Sequence, residues 1–171
     1  CAPGALLPEG SDLSLKCQNA ILTPGSGTDS EVVQMERFGS VLAWFGDWAH
    51  EASLIATRVK ELLQNAWFHG DISSNEAEDR LLGKPQGTFL VRFSTHEPGA
   101  FTISKMSPFG SIVHQRLGHK PGKAEFVING ESFESLLELV TCQQQPLTLL
   151  VPCPGSRYLS LFSKANVQGY I

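Results

Sequence analysis

Spanning a bilayer takes roughly twenty consecutive apolar residues, and no run in this sequence approaches that length. The opening residues, CAPGALLPEG, lack the basic start and apolar centre of a secretory signal. A basic excess is also missing: 13 Lys and Arg stand against 17 Asp and Glu, for a formal net charge of -4. That balance argues against a surface that follows nucleic-acid phosphates, while leaving room for one local cationic pocket. The four cysteines, Cys1, Cys17, Cys142 and Cys153, have neither CxxC spacing nor the density of a disulfide scaffold, so reduced thiols of a cytoplasmic protein are expected. There is no glycine-rich phosphate loop, nucleophile elbow or kinase signature, and the spaced acids of an EF-hand are missing. The scattered His69 and His96, with Asp71 or Glu97 as conceivable partners, compose no triad, so no catalytic residue, metal or cofactor is expected. The sequence has no initiator methionine and reads as a piece of a longer protein.

What is present is 42% hydrophobic and 18% charged residues over 171 positions, enough for one core with appended segments. Residues 1–31, with prolines at 3, 8 and 24 and glycines at 4, 10, 25 and 27, read as a flexible linker or the remnant of an upstream domain. Its apolar interruption, Leu13 to Cys17 and Ala20 to Leu22, suits a helix that packs on something outside this chain. Residues 32–66 read as a helical linker. Met35, Phe38, Val41, Leu42 and Phe45 recur at helical spacing, Gly46-Asp47 interrupts, and Leu54, Ile55, Val59, Leu62 and Leu63 form a second stripe. Trp44 and Trp48 add apolar area that favours docking of this hairpin on the segment that follows.

The most informative stretch is GTFLVRFS, Gly87 to Ser94, which sets Arg92 inside a run that otherwise reads as a buried strand. An arginine there needs an anionic partner, either a carboxylate such as Glu97 or a ligand. Upstream, Ser73 and Ser74 ahead of Glu76 predict a capping-box start for a helix whose stripe is Ala77, Leu81 and Leu82. Downstream, a polar turn over 94–99 leads to a strand over 100–104, and Ile112 to Leu117 alternates at strand period. Phe126 to Ile128 follows, then an amphipathic helix over Ser132 to Thr141 with Phe133, Leu136, Leu137 and Val140 on one face. Leu147 to Pro152 reads as a last strand.

In this order and spacing, WFHGDIS, GTFLVRFS, GAFTIS, IVHQRL, ESFESLLELV and LTLLVP resemble the Src-homology-2 (SH2) domain, over residues 67–154. The RFS wording is similar to STAT transcription factors and to the SH2-bearing protein kinases of social amoebae, most of all the latter. The resemblance implies an α+β fold: a central antiparallel sheet flanked by two helices, with the helical linker before it and a tail over 155–171. It implies a non-enzymatic phosphotyrosine-peptide binding module of a larger intracellular signalling protein, with a protein kinase as the expected parent.

Phosphotyrosine carries nearly two negative charges and three acceptor oxygens, which suit a planar donor, neighbouring hydroxyls and a second cation. By the family pattern Arg92 is that donor, Ser94 and Thr95 supply hydroxyls, His114 holds the ring and Arg116 is the second cation. Ser74 and Thr102 are minor phosphate contacts. Gln115, Phe126 and Ile128 set peptide preference, with the polar Gln115 weakening apolar selection. The sequence departs from the pattern at Ser74, where many relatives carry an arginine, and this puts more weight on Arg116. Two alternatives stand beside this reading. One is a degenerate SH2 domain that only packs within its parent. The other is a STAT-like parent that self-associates through a phosphorylated Tyr170, against which Leu159, Leu161 and Phe162 read as simple packing of the tail.

Overall fold

The computed structural model describes residues 9–22, 45, 48–97, 99–119 and 125–163. Two helices come first, α1 (Glu9–Leu22) and α2 (Trp48–Leu63). The sheet elements and their helices follow: β1 (Phe68–Gly70), α3 (Ser74–Leu81), β2 (Thr88–Phe93), β3 (Phe101–Met106), β4 (Ile112–His119), β5 (Phe126–Ile128), β6 (Glu131–Phe133), α4 (Leu136–Cys142) and β7 (Val151–Pro152). A short 3-10 helix, η1 (Arg157–Phe162), ends the described chain.

Every residue of β2 is buried, which requires cover on both faces of the sheet. Neighbours run in the order β1-β2-β3-β4-β5-β6, and β7 also pairs with β2. The pairings are antiparallel except that β1 and β7 lie parallel to β2. Residues directly opposite one another point to the same face, so register sorts the side chains. Arg92, Thr102 and Arg116 form one row and Leu90, Ser104 and His114 the next. This face meets α3, whose Ala77 and Leu81 cluster with Ile72, Leu90 and Cys153. The opposite face presents Phe89, Val91, Phe93, Phe101, Ile103 and Leu117, which join Leu136, Leu139 and Val140 of α4 in the main core.

Helix α3 starts as its sequence predicts. Ser73 Oγ accepts from the Glu76 amide at 3.1 Å, and the Glu76 carboxylate accepts from the Ser73 amide at 2.7 Å. The second bond pulls the Glu76 carboxyl below its usual range. Leu82 does not belong to the stripe: it is 74% exposed, because the helix stops at Leu81.

The expected helix over 132–141 divides. The positive φ of Asn129 and Gly130 turns β5 back on β6, which takes Ser132 and Phe133 into a strand opposite Val127 and Phe126. Ser135 then caps a shorter helix by accepting from the Glu138 amide at 3.0 Å. Leu137 consequently faces outward, and Leu139 takes the core position. The last strand is also shorter than expected, since the amides of Leu147, Thr148 and Leu149 bond back to the carbonyls of Gln143, Gln145 and Gln144.

Helix α2 buries Ile55, Val59, Leu62 and Leu63, while Leu54 of the expected stripe is 43% exposed. The segment read as a linker or a remnant contains α1, and α1 packs within this chain, on α2 and η1. Cys17 and Ile21, four residues apart, are fully buried, with Leu13 partly buried on the same line. The rest of 1–31, the stripe from Met35 to Leu42, and Trp44 lie outside the described residues.

The tail is drawn in as well. Tyr158, 1% exposed, stacks on Phe68 with ring centroids 5.7 Å apart, and Ser156 Oγ donates to the Phe68 carbonyl at 2.6 Å. Gly70 makes room for it: at φ 62° a Cβ there would lie 2.2 Å from the Tyr158 hydroxyl oxygen. Leu161 and Phe162 pack partly against the core, and Leu159 faces solvent. Removing the ring in Tyr158→Ala should cost about 3 to 5 kcal/mol in equilibrium urea unfolding. A loss below about 1 kcal/mol would mean that the tail lies outside the cooperative unit.

His69, also 1% exposed, ties three segments together. Arginine only donates and a carbonyl only accepts, so Arg80 Nη1 donates to Nδ1 at 2.6 Å and the Nε2 proton goes to the Cys153 carbonyl at 2.9 Å. Arg80 also donates to the Gly155 carbonyl at 3.2 Å. The ring is thereby fixed as the neutral Nε2–H tautomer. Burial pushes its pKa down, and the Arg80 charge adds to this against the opposing pull of the Cys153 carbonyl. Below the ordinary imidazole value near 6.5 the unfolded chain takes up this proton and the folded one does not. Stability should therefore fall as pH drops from about 6.5 toward the depressed folded value, and His69→Gln should flatten that part of the profile in denaturant midpoints.

Candidate anion-binding site

Arg92 is 3% exposed, and among the described residues its side chain meets neutral groups only. Nη2 donates to Ser74 Oγ at 2.8 Å, Nε to Ser104 Oγ at 3.3 Å and Nη1 to the Phe93 carbonyl at 3.3 Å. Burial lowers the guanidinium pKa, partly offset by the charge of Glu78. The Glu97 partnership that the sequence allowed is not made, because Glu97 is taken by Arg116 at 3.2 Å. Few charges are held this way inside a protein, since desolvating an ion is costly without a counter-charge.

A chain of bonds runs outward from this point. Ser104 Oγ accepts from Arg92 and is also hydrogen-bonded to His114 Nδ1 at 2.8 Å. His114 Nε2 then donates to Glu78 Oε1 on α3 at 3.1 Å. Strands β2, β3 and β4 and helix α3 thus each contribute to one cluster of hydroxyls, an imidazole and a guanidinium. Such a set suits an oxyanion better than an apolar group.

The structure treats the expected site residues unevenly. Arg92, Ser74 and His114 come together, with Ser74 in direct contact with the guanidinium. Thr102, 6% exposed, stands between Arg92 and Arg116 in the same row. Arg116 shares that face but points to Glu97. Ser94 and Thr95 lie on the loop beyond β2, where the Ser94 amide donates to the Ala100 carbonyl at 2.9 Å and Thr95 Oγ1 bonds His96 Nδ1 at 3.0 Å; neither bonds Arg92.

Gln115 faces the other side of β4, opposite Ile103. Phe126 and Ile128 are 8% and 3% exposed and join the core; Phe126 also borders a hollow with Phe45, Arg58, Leu62, Phe101 and Leu136. Tyr170 lies outside the described residues. The sequence reading missed Ser104, although its position two residues after Thr102 on a strand places both on the Arg92 face. It also missed Glu78, whose exposed helical position gave no signal.

Residues 67–143 match the SH2 domain family, so the chain carries an SH2 domain, a binding module and not a catalytic one. Similarity extends past that segment. The chain is 49% identical over 162 residues to dual specificity protein kinase shkA of Dictyostelium discoideum, covering 94% of this chain and 30% of that protein. It is 35% identical to dual specificity protein kinase shkC of the same organism, covering 93% of this chain and 33% of that protein. With tyrosine-protein kinase csk-1 of Caenorhabditis elegans the identity is 44% over 75 residues, 44% of this chain and 14% of that protein. The chain therefore spans a third or less of the length of these relatives. No helix among the described residues is long and apolar enough to cross a membrane.

A buried charge with no carboxylate hydrogen-bonded to it among the described residues should burden the fold. Arg92→Met should leave stability to urea unchanged or raise it by about 1 kcal/mol. A loss above about 2 kcal/mol would show that the bonds to Ser74 and Ser104 outweigh the desolvation they offset.

Proposed function

We propose that this chain binds tyrosine-phosphorylated peptides as a module of a larger cytoplasmic signalling protein, with a protein kinase as the parent. The observation that carries this reading is Arg92, a buried fork of donors whose neighbours are hydroxyls and whose face of the sheet holds Thr102, His114 and Arg116. Arg92 receives two phosphate oxygens, Ser94, Thr95, Ser74 and Thr102 supply further hydrogen bonds, and His114 lies against the phenyl ring. Arg116 is the second cation, in a site whose helix offers Ser74 where many SH2 domains have arginine. Beyond the phosphate, Gln115 gives the peptide a polar neighbour. The kinase parent is supported by similarity to amoebal kinases that reaches over almost the whole chain.

A domain that only packs within its parent is the rival reading, and it leaves the polar cluster around Arg92 without a use. Calorimetric titration with a phosphotyrosine peptide and its unphosphorylated form separates the two, binding of the first alone being expected. Arg92→Ala should cost about 2 to 5 kcal/mol of that binding, and Arg92→Lys should not restore it, because an ammonium lacks the planar fork. Near-parental affinity in either variant would refute the assignment.

A further inference from the structure

Both cation-capable side chains that β4 directs at this face are already engaged by carboxylates, His114 by Glu78 at 3.1 Å and Arg116 by Glu97 at 3.2 Å. The two pairs differ in kind. Glu78 sits on a capped helix and accepts from His114, an imidazole that is charged only when protonated. Glu97 sits on the loop between β2 and β3, and its partner is a permanently charged guanidinium. The loop fixes this arrangement: the Ala100 amide donates to the Glu97 carbonyl at 3.2 Å and the Ser94 amide to the Ala100 carbonyl at 2.9 Å, so the turn that follows Arg92 brings the carboxylate toward β4. Arg92 and Arg116 occupy one row with Thr102 between them, two strands or about 10 Å apart at the backbone. Arg116 reaches Glu97 through Nη1, so in the ligand-free chain a carboxylate already holds part of the guanidinium that a phosphate on Arg92 would draw on.

We propose that Glu97 is an internal competitor of the phosphate, holding Arg116 in the ligand-free domain and giving it up when a phosphotyrosine arrives. This rests on the phosphotyrosine reading above. The exchange is feasible because both partners are more than half exposed, at 54% and 57% for the side chains, and exposed pairs are weak and screened by salt. A phosphate brings nearly two charges against one on the carboxylate and so wins the guanidinium, but it also meets the repulsion of the displaced Glu97. Glu97 thereby lowers affinity for phosphotyrosine as such and leaves more of the selection to contacts along the peptide.

The test uses the whole chain, with phenyl phosphate followed by NMR through the β4 amides and a phosphotyrosine peptide followed by calorimetry. Glu97→Gln keeps the shape and removes the charge; it should tighten both ligands about threefold to tenfold at low salt, with the gain shrinking at high salt. Glu97→Ala should move affinity in the same direction. In an Arg116→Ala background the gain from Glu97→Gln should fall below about twofold, because the cation it frees is gone. Unchanged or weaker binding by Glu97→Gln, or a gain that persists without Arg116, would overturn the competitor role while leaving phosphotyrosine binding intact. Absence of phosphate-dependent binding by the parent chain, or its indifference to Arg92→Ala, would instead remove the functional reading and this inference with it.

Discussion

A single guanidinium, buried in a strand that would otherwise be wholly apolar, sets the terms for one half of this molecule. Arg92 needs donors satisfied on all sides, and the residues that reach it come from three directions: Ser74 at the start of α3, Ser104 across the sheet in β3, and the carbonyl of Phe93 on its own strand. Each has its own packing reason to be where it is. Ser74 is delivered by the capping box at Ser73 and Glu76, and Ser104 by a register that also stacks Phe89, Val91 and Phe93 on the opposite face. The polar cluster and the aromatic core are two sides of the same strand pairing. A slip of one residue in register would exchange them, which links the specificity of the fold to the existence of the site.

Charge is distributed around this point with restraint. The overall balance is negative, and Glu78 and Glu97 are bound to His114 and Arg116. In the proposed phosphotyrosine site, Arg116 is thus partly neutralised before a ligand with more charge and better geometry arrives. Arg92 is the exception, with Glu78 acting on it only through space.

The folded unit is larger than the segment that matches the SH2 family. Helix α1 buries Cys17 and Ile21, α2 adds Ile55, Val59 and Leu63, and Tyr158 from η1 stacks on Phe68 of the first strand, all within one core. Kinases shkA and shkC are similar across this whole extent and not only across residues 67–143. The turn after the domain covers β1, three residues long, through Tyr158 on the Phe68 ring and Ser156 on the Phe68 carbonyl.

Much of this was legible in the residues. Strand parity in GTFLVRFS, GAFTIS and IVHQRL told which side chains share a face, because alternation is a local property of extended backbone. The capping box at Ser73 and the stripe of α2 were legible for the same reason, as were the order of elements and the family likeness. Other features depended on which segments meet. The contact of Ser74 with Arg92 joins residues 18 apart in sequence, and the capture of Arg116 by Glu97 joins residues 19 apart. The dependence of α1 on α2 and η1, and the diversion of Ser132 and Phe133 into a hairpin, turned on packing and on a two-residue turn that outweighed helical periodicity. The sequence by itself determined the faces of the strands and the need of Arg92 for polar company; the tertiary structure decided which residues provide it, because docking and register lie beyond the reach of local pattern.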